Sequence, residues 1–322
     1  MAQELEVSVV IPVYRSAAIL PALTAQLGDE LARAFARFEV IFVNDCSPDE
    51  SWSVIKALGE KHPFVRGLCL RRNVGQDNAI MAGLNAARGA AVVIMDDDLQ
   101  HPPSGIAPLV AKLGEGFDVC FANFTTREHA LWKRLGSAFS GRVASAIAGK
   151  PIDIYLSPFK AMRSDLVREL VAYDGPYSYV DGIILSLTAR LTQIAMPHSP
   201  RFTGESNYNL AKSFAVWLRL VTGFSILPLR LISYLGVTIS GLSFVLSLWF
   251  LIEHFLTPSR VEGWMSLMLM INFFGGVQLI AIGVLGEYTG RTYMRLNKRP
   301  QFSVAERCGE DTQDAGRTSG RG

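Results

Sequence analysis

The chain has 322 residues and a mass of 35.3 kDa, enough for a sizeable core in one large domain or two smaller ones. Apolar residues make up 49% and charged residues 19%, and mean hydropathy is +0.24, which excludes disorder for most of the chain and is more hydrophobic than a wholly soluble enzyme. A formal charge of +2, from 31 Lys and Arg against 29 Asp and Glu, gives no support for a nucleic-acid partner.

Strand and helix alternate over the first part. Residues 7–13 (VSVVIPV) form a β-branched run, followed by a helical period through Ile19, Leu23 and Leu27. A second strand is predicted over 38–43. Ser47, Asp49 and Glu50 then start a helix through Trp52, Ile55 and Leu58. A third strand (65–70), a third helix (78–87), a fourth strand (91–95) and a fifth (117–121) follow. The alternation predicts a Rossmann-like α/β fold, a mostly parallel sheet with helices on both faces. Ligands of such sheets sit at the carboxyl ends of the strands.

The apolar excess is concentrated later. No charged residue occurs from 231 to 252 or from 264 to 286. Each run exceeds the roughly 20 residues a helix needs to cross the hydrocarbon core. Two transmembrane helices are therefore expected, over 229–256 and 264–287, joined by a short external loop at 257–263. Lys212, Arg219 and Arg230 precede them, and Arg291, Arg295, Lys298 and Arg299 follow. The positive-inside rule puts both termini in the cytoplasm, with a cytosolic domain over 1–207 on the inner (plasma) membrane. Leu210, Phe214, Trp217, Leu218 and Val221 recur at helical spacing opposite Lys212 and Arg219, so 208–228 reads as a juxtamembrane interface helix. A similar pattern through Leu131, Trp132, Leu135, Phe139 and Val143 fits membrane contact and core packing equally. Cys46, Cys69, Cys120 and Cys308 are widely spaced, which reads as reduced thiols rather than a disulfide or metal framework. The segment 288–322 is expected to be cytosolic, and the polar, Gly-rich tail after Val304 to be disordered.

Four predicted strand ends carry polar groups: Pro12 and Tyr14 after the first, Asp45 after the second, Asn73 and Gly75 after the third, and Asp96, Asp97, Asp98 and Gln100 after the fourth. In extended chain Asp96, Asp98 and Gln100 point to one side and Asp97 to the other. Two carboxylates and an amide oxygen make a hard-oxygen site for Mg2+ or Mn2+, which would neutralise charge building on a leaving diphosphate.

SVVIPVY, VNDCSPDES, RRNVGQDNAIMAGL, MDDDLQHPP, SPFKAM, RFTGESNY, the paired apolar runs and LGEYTGRTY occur in that order. Together they resemble family 2 glycosyltransferases of the GT-A fold, and within them the polyisoprenyl-phosphate glycosyltransferases. The resemblance implies an enzyme that moves a sugar from a nucleotide-sugar, with uridine the first choice of base, to undecaprenyl phosphate for cell-envelope glycan assembly. It implies that Pro12, Tyr14, Asp45, Asn73, Gly75, Asp96 and Asp97 hold the nucleotide-sugar, and that Asp96, Asp98 and Gln100 hold the metal. It further implies that Lys160, Arg201 and Ser206 hold the acceptor phosphate, and that Asp98, Arg201 and Lys160 carry the catalysis.

Some positions depart from the family pattern. Arg15 and Ser16 stand where many relatives have Asn-Glu, and Pro158 stands where relatives often place Asp, with Asp153 only a distant substitute. Asn207 replaces a frequent lysine. These changes point to a different sugar or nucleotide, not a different reaction. Asp181 reads as a helix-start or surface residue rather than one that orients the acceptor. A phosphate nucleophile needs no strong general base, so positioning and charge stabilisation should dominate, and in-line attack should invert the anomeric centre. A processive polysaccharide synthase is the less favoured reading, because Gln-x-x-Arg-Trp is absent. A non-catalytic scaffold is disfavoured by the intact acidic cluster. Gly275, Gly276 and Gly283 would permit close contact between copies in a homo-oligomer.

Overall fold

The computed structural model describes residues 6–124, 154–173, 175, 179–196, 263–296 and 300–309, with single positions between 232 and 252. The chain divides into one unit of residues 1–207 and 300–322 and another of 208–299.

In the first unit, β1 (Val7–Val13), α1 (Leu20–Ala34), β2 (Phe38–Asn44), α2 (Ser51–Lys61), β3 (Val65–Leu70), α3 (Gln76–Ala86) and β4 (Ala91–Ile94) alternate. A short 3-10 turn leads into α4 (Ile106–Gly114), then β5 (Val119–Phe124), β6 (Lys160–Arg163), α5 (Ser164–Val171), α6 (Val180–Leu187), β7 (Leu191–Met196) and β8 (Val304–Cys308). The sheet order is β7-β5-β6-β4-β1-β2-β3-β8. All seven residues of β1 are buried, as expected of a strand between two parallel neighbours with both faces covered.

The sheet is mixed. β4-β1-β2-β3 is parallel throughout, but β6 runs antiparallel to β4 and β5, and β8 antiparallel to β3. Apolar alternation carries no strand direction, so the sequence could not separate these cases. Leu20, Leu23, Leu27 and Leu31 of α1 pack with Val9, Ile11, Phe42 and Leu109 in the core on one face. α3 covers β1 and β2. It approaches closely because position 83 is glycine: a Cβ there would stand 2.3 Å from Val10 Cγ1. Ser8 is the polar exception in β1. Its hydroxyl donates to Glu39 Oε1 at 2.5 Å, and Arg66 of β3 pairs with Glu39 Oε2 at 2.7 Å, so the buried charges are matched.

The tail after Val304 is not all irregular. Val304–Cys308 forms β8 along the edge of β3, Trp52 Nε1 donates to Glu306 Oε2 at 2.8 Å, and Cys308 Sγ fills the space beside Gly67. An edge strand needs pairing more than hydrophobicity, which composition does not register. The four cysteines are free thiols, and burial pushes that of Cys120 up to about 12.

In the second unit, α7 (Trp264–Leu296) is a single helix of 33 residues, longer than the span expected at 264–287. Among the described residues no helix is long and apolar enough to cross a membrane. The sequence has no charged residue from 264 to 286. The juxtamembrane segment 208–228 and the amphipathic pattern through Leu131 and Trp132 lie outside the described residues.

Candidate active site

The parallel strands β4, β1, β2 and β3 deliver their polar termini to one cleft of about 420 Å³. β1 contributes Pro12, Val13 and Tyr14, β2 contributes Asp45, the turn after β3 contributes Asn73, Gly75 and Gln76, and the segment after β4 contributes Asp96, Asp97 and Asp98. Every residue expected on the nucleotide-sugar therefore lines the same cleft. A larger cavity of about 510 Å³ lies at the other ends of the strands, between α3 and α5. Its described lining has Arg88 and Arg168 but no carboxylate, so it lacks the hard-oxygen groups a divalent cation requires.

Asp45 organises the donor side. Its N–H donates to Val13 O at 3.0 Å, its Oδ1 accepts the Val74 amide at 2.8 Å and its Oδ2 accepts the Gly75 amide at 2.9 Å. Asn73 Nδ2 closes the turn on Asp45 O at 3.2 Å. Gly75 has φ 87° and ψ 159°, a region open essentially to glycine alone. The sequence reading gave Asp45 to the base; its carboxylate is buried and its two oxygens hold the turn that opens α3.

The acidic segment is not extended. β4 ends at Ile94, Leu99 has φ 60°, and the Gln100 amide donates to Asp98 Oδ1 at 3.1 Å. The expected alternation therefore fails. Asp97 lies on the cleft with Asp96 and Asp98, where its Oδ2 accepts the Tyr14 amide at 3.4 Å. Gln100 is not among the residues that line the cleft, and its buried Nε2 has no hydrogen-bond partner among the described residues. Asp96 and Asp98 fit a divalent cation. Burial, with Asp98 and then Asp97 nearby, raises the Asp96 carboxyl to about 7, and a cation would relieve that repulsion. Among the described residues no group of three His, Cys, Asp or Glu side chains is arranged around one metal position.

Three supports escaped the sequence reading. Gln76 Nε2 donates to Asp96 Oδ1 at 2.7 Å. The Asp96 amide donates to His101 Nδ1 at 3.0 Å, and the His101 ring stacks on Phe124 and Phe159 at 5.5 and 5.2 Å, which anchors the acidic segment to the core. Asp77, next to Gln76, accepts the Val180 amide at 3.4 Å. The signal for His101 was its place just after the acidic run; for Gln76 and Asp77 it was their place in the first turn of a helix facing that run.

Lys160 is 3% exposed, pairs with Asp181 and holds its ammonium 5.4 Å over the Phe121 ring. It is not among the residues that line the donor cleft. Asp181 stands in the first turn of α6, as expected of a helix-start residue, but with its side chain 14% exposed it is not on the open surface. Burial raises Asp77 to about 6, with Asp181 adding to the rise against the Val180 hydrogen bond and Lys160. Arg201, Ser206 and Asp153 lie outside the described residues.

The fold resembles that of glucosyl-3-phosphoglycerate synthase from Mycobacterium tuberculosis, at a TM-score of 0.50 and 18% identity over 68% of this chain and 78% of that one. Relatives match over nearly their whole length. A prophage bactoprenol glucosyl transferase homolog of Escherichia coli strain K12 is 30% identical over 93% of this chain and 98% of its own. An undecaprenyl-phosphate 4-deoxy-4-formamido-L-arabinose transferase of Aeromonas hydrophila is 31% identical over 92% of each. Residues 8–171, which hold the parallel strands and the acidic segment, match the description "Glycosyl transferase family 2", and the chain is an enzyme belonging to that family.

Proposed function

We propose that this enzyme is a membrane-bound inverting glycosyltransferase that moves a sugar from a nucleotide-sugar, UDP-linked, to a polyprenyl phosphate of undecaprenyl type. The carrying observation is that relatives named for bactoprenol and undecaprenyl phosphate match from end to end, across both the cleft and the apolar segments. A shared sugar-nucleotide domain alone would give a match confined to the first unit.

The apolar segments support the membrane part. At about 1.5 Å per residue, α7 is about 50 Å long, more than the roughly 30 Å hydrocarbon core. Leu267, Ile271, Phe273, Leu279, Ile280 and Leu285 are exposed along it, a surface suited to lipid rather than water. Tyr234, Val237, Leu242 and Trp249 are exposed in the earlier run. The flanking basic residues keep both termini cytoplasmic. Self-association through Gly275, Gly276 and Gly283 belongs to the same proposal.

In the cleft, Tyr14 is 46% exposed with the Arg15 guanidinium 5.5 Å from its ring centre, and a base would stack on this ring. Asp45 holds the turn of Asn73 and Gly75 against the donor. Gln76 fixes the carboxylate of Asp96 and His101 its backbone. Asp96 and Asp98 would hold Mg2+ or Mn2+; the M. tuberculosis synthase of this fold is known in complex with Mn2+ and UDP. When bound, such a cation offsets the negative charge of the departing diphosphate. Lys160 holds α6 through Asp181 and adds positive charge beneath the acidic segment. Arg201 and Ser206 are proposed to meet the acceptor phosphate. Being a dianion near pH 7, that phosphate attacks without a protein base, and in-line geometry inverts the anomeric carbon.

The test is transfer by detergent-purified protein from UDP-, GDP- and dTDP-sugars to undecaprenyl phosphate, with Mg2+, Mn2+ or EDTA, beside Asp98→Ala. A glycosyl phospholipid formed from one donor, absent with EDTA and at least about a hundredfold slower in Asp98→Ala, is the expected result. A folded protein that binds no nucleotide would sink this reading.

A further inference from the structure

Four consecutive backbone amides after β1 are each met by a side chain from elsewhere in the chain. The Tyr14 amide donates to Asp97 Oδ2 at 3.4 Å. The Arg15 amide donates to Ser47 Oγ at 2.8 Å, the Ser16 amide to Ser51 Oγ at 3.2 Å and the Ala17 amide to Asp49 Oδ2 at 3.2 Å. Asp49 is the centre of the last three. Its Oδ1 accepts the hydroxyl hydrogens of Ser47 at 2.5 Å and of Ser51 at 2.7 Å. A serine hydroxyl has one hydrogen, so giving it to Asp49 turns both oxygens into acceptors for the amides of residues 15 and 16. Burial works against the charge, but the bonds from Ser47, Ser51 and the Ala17 amide bring the Asp49 carboxyl from 3.8 down to about 2.

The backbone held in this way is an unfavourable one. Arg15 has φ 61°, in the left-handed region that a non-glycine residue keeps only where its surroundings hold it. Tyr14, next to that torsion, lines the donor cleft. We propose that Asp49, acting through Ser47 and Ser51, is a positioning residue that fixes residues 14–17 as the nucleoside wall of the donor site. This rests on the nucleotide-sugar reading above, in which a base stacks on Tyr14. Asp49 is itself exposed and is not among the residues that line the cleft, so it acts on the donor only through the loop. Being exposed, it can be replaced by water on the serines and amides, which spares the fold but not the set of the loop. The diphosphate end has separate anchors, Gln76 and His101 on Asp96, so the loss falls on the nucleoside end. The competing role is a cap on α2, because the Ser51 amide also donates to Asp49 Oδ1 at 3.2 Å. A cap alone would change stability without touching the donor.

The full chain in detergent decides this with Asp49→Ala, Asp49→Asn and Ser47→Ala. Calorimetric titration with UDP, GDP and dTDP in Mn2+ reads the nucleoside end, and inorganic pyrophosphate in Mn2+ reads the diphosphate end alone. Asp49→Ala should weaken nucleotide binding and raise KM for the nucleotide-sugar about tenfold, while kcat and pyrophosphate affinity stay within about twofold. The asparagine keeps an oxygen for the serines but sets an NH2 against the Ala17 amide, and Ser47→Ala removes only the Arg15 link, so each should lose about threefold. Hydrogen exchange at residues 15–17 should quicken in Asp49→Ala. A lower thermal midpoint with unchanged nucleotide affinity would reduce Asp49 to a cap and overturn the proposal. So would pyrophosphate affinity falling in step with nucleotide affinity. A wild-type chain that binds none of the three nucleotides would instead sink the proposed function, and this inference with it.

Discussion

Gln76 and Asp96 are joined across the cleft by a 2.7 Å hydrogen bond from the amide to the carboxylate, and the next residue, Asp77, accepts the Val180 amide of α6. The first turn of α3 thus holds the acidic segment with one side chain and the start of α6 with its neighbour. Asp45, which fixes the turn into α3, therefore governs more than its own contact with a donor.

Asp45→Asn tests that control. An amide keeps one acceptor oxygen and sets an NH2 against the second backbone amide. The unsatisfied donor should cost about 1–3 kcal/mol. Calorimetric titration with UDP and a thermal melt should show weaker binding and a lower midpoint together. Unchanged values in both would mean the turn holds without Asp45.

Gly75→Ala isolates backbone strain. Nothing lies within 4 Å of a Cβ built there, so crowding is not involved. Its φ of 87° and ψ of 159° should make the change cost about 1–3 kcal/mol, read as a lower thermal midpoint.

Lys160→Met leaves the partly buried Asp181 without its cation and should cost about 1–3 kcal/mol. Adding Asp181→Leu should recover much of that, since two apolar groups of similar bulk can replace a buried pair. Thermal midpoints of the four proteins give the coupling, and a double variant no more stable than Lys160→Met would contradict it.

Asp77 supplies a pH test with a definite sign. Its carboxyl rises from 3.8 to about 6, first through burial and then through Asp181. A raised folded pKa means stabilisation that is complete below the unfolded value and lost as pH climbs through the folded one. The loss between pH 4 and pH 7 is on the order of 3 kcal/mol at 1.36 kcal/mol per unit. Asp77→Asn should therefore melt above wild type at pH 7.5 and match it below pH 4; a gap that does not change with pH would refute the assignment.

The readable part of this protein was local. Each parallel strand is largely apolar, broken only by the buried Ser8, Glu39 and Arg66 and the small Gly67, and its polar terminus follows within a few residues, so Pro12, Tyr14, Asp45, Asn73, Gly75 and Asp96 could be grouped from strand order alone. Burial on both faces is written into the run itself. The acidic segment was found for the same reason, although its conformation was not: the turn at Leu99 depends on the Asp98 side chain taking the Gln100 amide, a choice that alternation does not encode.

What composition and spacing determined is the α/β alternation, the strand ends and the two uncharged apolar runs, because each is a property of neighbouring residues. Only the tertiary structure decided that β6 and β8 are antiparallel, that Lys160 is buried against Asp181, that His101 is stacked under the acidic segment, and that Gln301 reaches Tyr173 across 128 residues of chain. Those outcomes belong to pairs brought together by packing. A charge or an amide shows no sign in the sequence of whether water or a partner will satisfy it, and the low polarity of a packed interior is what makes the partner obligatory.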